Sequence, residues 1–129
     1  MFARAVGHTA PVFYDEAAAR EAGYRSLPCP PGFLGLPVYH PSNEGLPHYG
    51  GPLTPEPASP LTRGLNGGTQ VQYFDDICAG DVLTARSRIV SFEEREGRLG
   101  PMLITTTEIE YTNQSGKLVA ILTRTGIRY

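Results

Sequence analysis

The chain carries few residue types at spacings that do chemistry. His8 is the natural group for proton transfer near neutral pH, and Asp15-Glu16 follow it closely. His40 and His48 are eight residues apart in a proline-rich stretch, with no paired carboxylates or thiolates beside them. A zinc site needs three or four convergent ligands, so no metal is expected. Ser26, Ser42, Ser59 and Ser115 have no nucleophile-elbow context. Neither Cys29 nor Cys78 has a nearby histidine to activate a thiolate. Two free thiols are expected, with a Cys29–Cys78 bridge as the less favoured alternative.

The elements that position these residues divide the chain into three textures. Residues 1–34 read as short helices and turns. Phe2, Ala5 and Val6 share one side of a helical start that Gly7 ends. Asp15 is placed to cap Glu16-Ala17-Ala18-Ala19-Arg20-Glu21-Ala22, with Gly23 as the left-handed stop. Residues 35–66 are broken by proline and glycine. Ten of the twelve prolines lie between Pro28 and Pro60, so a long regular element is excluded there. A loop at about 37–66 is expected, either functional or a disordered excursion. A short apolar helix is expected over Gly32-Phe33-Leu34-Gly35-Leu36, ahead of Pro37.

Residues 67–129 read as strand after strand: Thr69–Phe74, Asp81–Phe92, Met102–Tyr111 and Leu118–Tyr129, rich in β-branched residues. Ala79-Gly80-Asp81, Glu96-Gly97-Arg98 and Asn113-Gln114-Ser115-Gly116 are turn chemistry and fit hairpins. Helix first, then a meander of long strands, predicts an α+β domain with the apolar segment around Phe33 and Leu34 on one face of a bent antiparallel sheet.

The run Gly7-His8-Thr9-Ala10-Pro11-Val12-Phe13-Tyr14-Asp15 resembles the MaoC-like dehydratase family, in particular its N-terminal, non-catalytic half domains. Catalytic members carry Asp-x-Asn-Pro-x-His here. His8 falls where the family has Asp, Ala10 where it has Asn, and Phe13 where it has His, while Pro11 and Asp15-Glu16 keep the frame. Leu27-Pro28-Cys29-Pro30-Pro31-Gly32-Phe33-Leu34 is similar to the family's entry to its central helix, and Ile77-Cys78-Ala79-Gly80-Asp81 to its strand-turn. Family domains begin with a strand and a helix start ahead of the point where this chain begins, so the chain is either a short version or its start lies upstream of Met1.

The resemblance implies a hotdog fold over residues 1–129, a long sheet wrapped around a central helix, pairing edge to edge into a double-hotdog dimer. It implies a substrate carried as an acyl-CoA or acyl-carrier-protein thioester and chemistry that uses no cofactor. Hydration of a 2-enoyl thioester needs a base to activate water and an acid to protonate the α-carbon. The thioester oxygen must also be held as charge develops on it. With the dyad emptied, this chain is expected to supply the acyl pocket from Gly32, Phe33, Leu34 and Leu36 while a catalytic MaoC-like subunit supplies Asp and His. Gly32 is the candidate oxyanion donor, against the simpler role of a turn residue. His8 is the one candidate catalytic residue, against that of a surface histidine. A non-enzymatic acyl-CoA-binding homodimer is the alternative. A hotdog thioesterase is disfavoured because residues 31–39 hold no carboxylate.

Composition narrows the partners further. Charged residues make up 19% and the net charge is −2, with no basic stripe, so a nucleic-acid partner is not expected. No apolar run approaches the roughly 20 residues that span a bilayer. A cytoplasmic protein without a membrane partner is expected.

Overall fold

The structure is a computed structural model that describes residues 2–34, 37–38, 48–49, 59–98 and 100–129. The expected site residue Leu36 and most of the expected loop lie outside them. Residues 2–23 fold as expected from their local signals. Helix α1 spans Phe2–Ala5, and the chain then reverses through Gly7 at φ +78°, with the His8 N–H donating to the Ala3 carbonyl. A 3-10 turn spans Pro11–Phe13, opened by a proline whose missing N–H costs nothing at that position. Helix α2 spans Glu16–Glu21. Asp15 caps it by accepting from the Ala18 N–H at 2.7 Å, and Gly23 at φ +95° closes it. A cap of this kind contributes about 1 kcal/mol.

Six strands follow. β1 (Pro37–Val38) and β2 (His48–Tyr49) form a small antiparallel pair inside the expected loop. β3 (Gly64–Tyr73), β4 (Thr84–Gly97), β5 (Gly100–Thr112) and β6 (Leu118–Arg128) form one antiparallel sheet in the order β3-β6-β5-β4. Two sequence expectations are corrected here. β3 starts at Gly64, inside the segment 37–66 assigned to a loop, because Asn66-Gly67-Gly68 is a bulge within a strand. A Cβ at Gly67 would stand 2.9 Å from the Thr125 methyl, so the strands approach there only because that residue is glycine. Ala79-Gly80-Asp81 does not close a hairpin either. β3 and β4 lie on opposite edges, and residues 74–83 cross from one to the other. The turns after β4 and β5 do close hairpins. In the second, the Asn113 side-chain oxygen accepts from Ser115 and Lys117 backbone N–H groups, both at 3.0 Å.

Alternation along the strands gives the sheet two unlike faces. On the inner face Val71, Leu122, Ile109 and Ser87 form one cross-strand row, and Tyr73, Ala120, Tyr111 and Ala85 the next. The outer face carries the Arg88–Glu108 ion pair and glutamines 70 and 72. The core gathers Ile77, Ile109, Tyr111, Val119, Ala120 and Leu122, with Cys29, Leu34, Val71, Leu83 and Ala85 packed against it.

The expected helix over Gly32–Leu36 is the third correction. In its described part, Gly32 to Leu34, the chain forms no helix. Pro30 and Pro31 offer no N–H, the Phe33 N–H donates back to the Pro30 carbonyl at 3.1 Å, and Gly32 sits at φ +81°, outside the helical region. Beyond it, Pro37–Val38 is already strand. Leu34 nevertheless reaches the inner face of the sheet, as its apolar character predicts.

Leu122 is 2% exposed at the centre of this core. Leu122→Ala is expected to lower unfolding free energy by about 2–5 kcal/mol, read as a shift in urea midpoint with an unchanged slope.

Candidate functional site

Two neighbouring regions hold the residues singled out in the sequence: a cleft at the emptied dyad, and the turn that covers the inner face of the sheet.

The cleft has a volume of about 300 Å³ and is lined by Arg4, Gly7, His8, Thr9 and Tyr14. The Arg4 guanidinium stacks over the Tyr14 ring, 5.8 Å from its centroid. The Tyr14 hydroxyl donates to the His8 carbonyl, which pins the loop between α1 and the 3-10 turn. The two positions matched to the dyad do meet: the His8 and Phe13 rings lie 5.2 Å apart, tilted by 42°. The scaffold brings these positions together, but it brings an imidazole against a phenyl ring. Acid–base work by a pair needs a second proton-carrying group to orient and share the proton, and a phenyl ring offers none. Among the described residues no group of three His, Cys, Asp or Glu side chains could hold a metal ion. Ala10 precedes the 3-10 turn in extended conformation and makes no side-chain cap bond, where the family pattern has Asn.

The second region is held by a carboxylate. Asp81 Oδ1 accepts from Arg25 at 3.0 Å and from Gln114 Nε2 at 3.1 Å. Its Oδ2 accepts from Arg25 and from the Cys78 N–H, both at 2.9 Å. The pair with Arg25 is bidentate, the strong form of a charge-assisted contact. Arg25 also reaches the Asp76 carbonyl at 3.3 Å. Beside this clamp, the Cys29 N–H donates to the Ile77 carbonyl at 2.7 Å and the Ala79 N–H to the Leu27 carbonyl at 2.8 Å. Pro28 and Cys78 are thus bridged, and residues 27–34 are laid along the crossover. That placement sets Cys29 and Leu34 against the core. Burial, with the neighbouring Cys78 second, pushes the Cys29 thiol above its ordinary value. Both cysteines are free thiols in this structure.

The site residues expected from the sequence land unevenly. Gly32 lies in the turn, and the nearest atom to a Cβ built there is Phe2 Cζ at 3.8 Å. Its φ is therefore what demands glycine, more than any close neighbour. Phe33 is 44% exposed and packs against Phe2, ring centroids 5.5 Å apart. Leu34 faces the core. The Arg25–Asp81–Gln114 clamp was missed as such. The Ala-Gly-Asp turn was visible, but nothing in the sequence pairs position 81 with position 25.

The Arg25 guanidinium, then the Cys78 N–H and Gln114, hold the Asp81 carboxyl well below the usual carboxylate range. A depressed folded-state value contributes stability that is present above the unfolded value, about 4, and is lost as pH falls toward the folded value. Stability is therefore expected to decline below about pH 4. Asp81→Asn should cost about 1.5–3 kcal/mol at neutral pH and flatten that decline, measured by denaturant unfolding from pH 7 to pH 2. An unchanged pH profile in the variant would remove the clamp from the account.

Comparison with known proteins follows the same frame. The family model described as "FAS1-like, dehydratase domain region" matches residues 1–122. A UPF0336 protein of Parafrankia sp. (strain EAN1pec) is 36% identical over 121 residues, covering 92% of this chain and 72% of the relative. The C-terminally truncated HadBC (3R-hydroxyacyl-ACP dehydratase) complex of Mycobacterium tuberculosis superposes with a TM-score of 0.70 at 25% identity, covering 98% of this chain and 81% of that one. A MaoC-like dehydratase structure superposes at 0.68 with 22% identity, over 98% of this chain and 35% of the longer one, which speaks to the fold. Among the described residues no helix is long and apolar enough to cross a membrane. The family match over residues 1–122 makes this chain a member of the FAS1-like dehydratase region family, and its four-stranded sheet shares the fold of a MaoC-like dehydratase.

Proposed function

We propose that the chain is the non-catalytic half of a MaoC-like (R)-specific enoyl-CoA hydratase or 3-hydroxyacyl-thioester dehydratase. It supplies acyl-pocket wall and a pairing edge, while a second subunit supplies the Asp and His. One observation carries this: His8 and Phe13 stand ring to ring where catalytic relatives hold a carboxylate and an imidazole. In hydration the partner's base takes a proton from water, the oxygen bonds to the β-carbon, and a proton is delivered to the α-carbon. A phenyl ring neither gives nor takes a proton, so Phe13 contributes to none of these transfers.

Residues 1–129 act as one domain in this reading. The sheet's free edges favour assembly. β3 and β4 each pair on one side only within the four-stranded sheet, and Leu65 and Tyr73 on β3 are exposed. An unpaired edge of ten residues is a template for another strand. That HadBC is a complex supports a hetero-oligomeric arrangement. The acyl group, carried on CoA or an acyl carrier protein, lies against Gly32, Phe33 and Leu34, with Leu36 beyond them. The protein works in the cytoplasm, without cofactor. The same free edges would equally serve a homodimer that binds acyl-CoA without turning it over.

The purified chain alone is expected not to hydrate crotonyl-CoA or longer 2-enoyl-CoAs. Turnover is expected on adding a MaoC-like subunit with an intact Asp-x-Asn-Pro-x-His. Robust turnover by this chain alone, abolished by His8→Ala, would contradict the proposal. A stable homodimer that binds acyl-CoA and gains nothing from any such partner would favour the binder.

A further inference from the structure

The bulge in β3 holds a dipeptide whose chemistry the acyl-thioester reading does not use. Asn66 is followed by Gly67, and both are exposed on a strand that pairs on one side only within the four-stranded sheet. Asn66 stands opposite Gly126 and Gly68 opposite Thr125, so Gly67 has no partner residue of its own on β6. The extra residue of a bulge is left out of the regular pairing. Gly67 also carries no side chain to crowd its own nitrogen.

The side chain of Asn66 is already turned along the backbone. Its Oδ1 accepts from the Gly68 N–H at 3.1 Å. In such a turn the side-chain amide imitates a backbone carbonyl. The ring that this hydrogen bond closes contains both the Asn66 Cγ and the Gly67 nitrogen. Those are the two atoms that must join to make a five-membered imide. The same N–H polarises the side-chain carbonyl and stabilises the negative charge that develops on Oδ1 when the nitrogen attacks. Electrophile, nucleophile and oxyanion donor are thus held together at an exposed position.

Asn113 supplies an internal contrast. Its Oδ1 accepts from the Ser115 N–H at 3.0 Å, the same bond two residues on, but also from the Lys117 N–H and the Ser115 hydroxyl. The residue after it is Gln114, whose own side chain is tied to Asp81 at 3.1 Å. There the attacking nitrogen belongs to a residue with a side chain, in a loop fixed by several bonds.

We infer that Asn66 is a site of spontaneous deamidation in the folded protein. The Gly67 nitrogen gives its proton to solvent and bonds to the Asn66 Cγ. The bond from Cγ to Nδ2 breaks, and Nδ2 leaves as ammonia with a proton from water. Water then opens the imide at one of its two carbonyls, leaving aspartate or isoaspartate at position 66. Water is the only reagent, nothing is oxidised or reduced, and the inference does not rest on the acyl-thioester reading. The product puts a carboxylate on β3 and, in the isoaspartyl form, one more carbon into the main chain beside Gly126.

The test incubates the full chain, folded, at mildly alkaline pH, beside a sample held unfolded in guanidinium chloride. Both are digested in acid, and the peptides are read by mass spectrometry for exchange of an NH2 for an OH. Isoaspartate is counted by labelling with an isoaspartyl methyltransferase. In the folded chain Asn66 should convert roughly tenfold faster than Asn113, because glycine rather than glutamine follows it. Its rate should stay within a few-fold of the rate in guanidinium. Conversion of Asn66 no faster than that of Asn113, or confined to the unfolded sample, would mean that the strand keeps the two atoms apart and would overturn the inference.

Discussion

One carboxylate decides where the segment of residues 27–34 lies. β3 and β4 follow each other in sequence but occupy opposite edges of the sheet, so residues 74–83 must cross over with no strand ladder to hold them. Asp81 supplies the anchor. It joins Arg25 from the N-terminal third, the Cys78 N–H of its own turn, and Gln114 from the β5–β6 hairpin. Its side chain is 4% exposed while that of Arg25 is 59% exposed. The carboxylate is thus the enclosed partner, and its lone pairs are all addressed by donors. A bidentate, fully satisfied pair of this kind escapes the usual weakness of surface ion pairs. Because it fixes the crossover, the backbone bonds of Cys29 and Ala79 can form, and the Cys29–Leu34 segment can lie on the inner face.

The dyad cleft depends on a separate, more local device. The Gly7 reversal, Pro11 opening the 3-10 turn, and the Tyr14 hydroxyl on the His8 carbonyl keep the loop in one shape. This loop presents His8 and Phe13 to each other. Scaffold and chemistry are separable in this fold. The backbone that positions the pair is stabilised by turn residues and by packing, none of which needs the catalytic side chains. The loop can therefore stay folded whichever side chains stand at positions 8 and 13.

Much of the sheet was legible because its signals are local. β-Branched runs marked β4, β5 and β6, Asn113–Gly116 marked a hairpin turn, and Asp15 with Gly23 bracketed α2. What failed depends on distance or on competing local rules. Ala79-Gly80-Asp81 has turn chemistry whether the next strand pairs beside β3 or crosses to the far edge, so strand order could not be read from it. Gly64-Leu65-Asn66 fell inside the expected loop, yet β3 already runs through them, and its bulge facing Thr125 uses the missing side chain of Gly67. Gly32 read as the start of a helix, but a left-handed φ after two prolines makes it a turn.

Asp81 holds residues 27–34 onto the crossover and so sets Cys29 and Leu34 against the core. Native-state amide hydrogen exchange at neutral pH reads this directly. In Asp81→Asn, protection of the Cys29 and Ala79 amides should fall while the β5–β6 ladder around Ile109 and Leu122 keeps its own. Unchanged protection at Cys29 and Ala79 would mean that the segment is held by other contacts and that the carboxylate is incidental to the site.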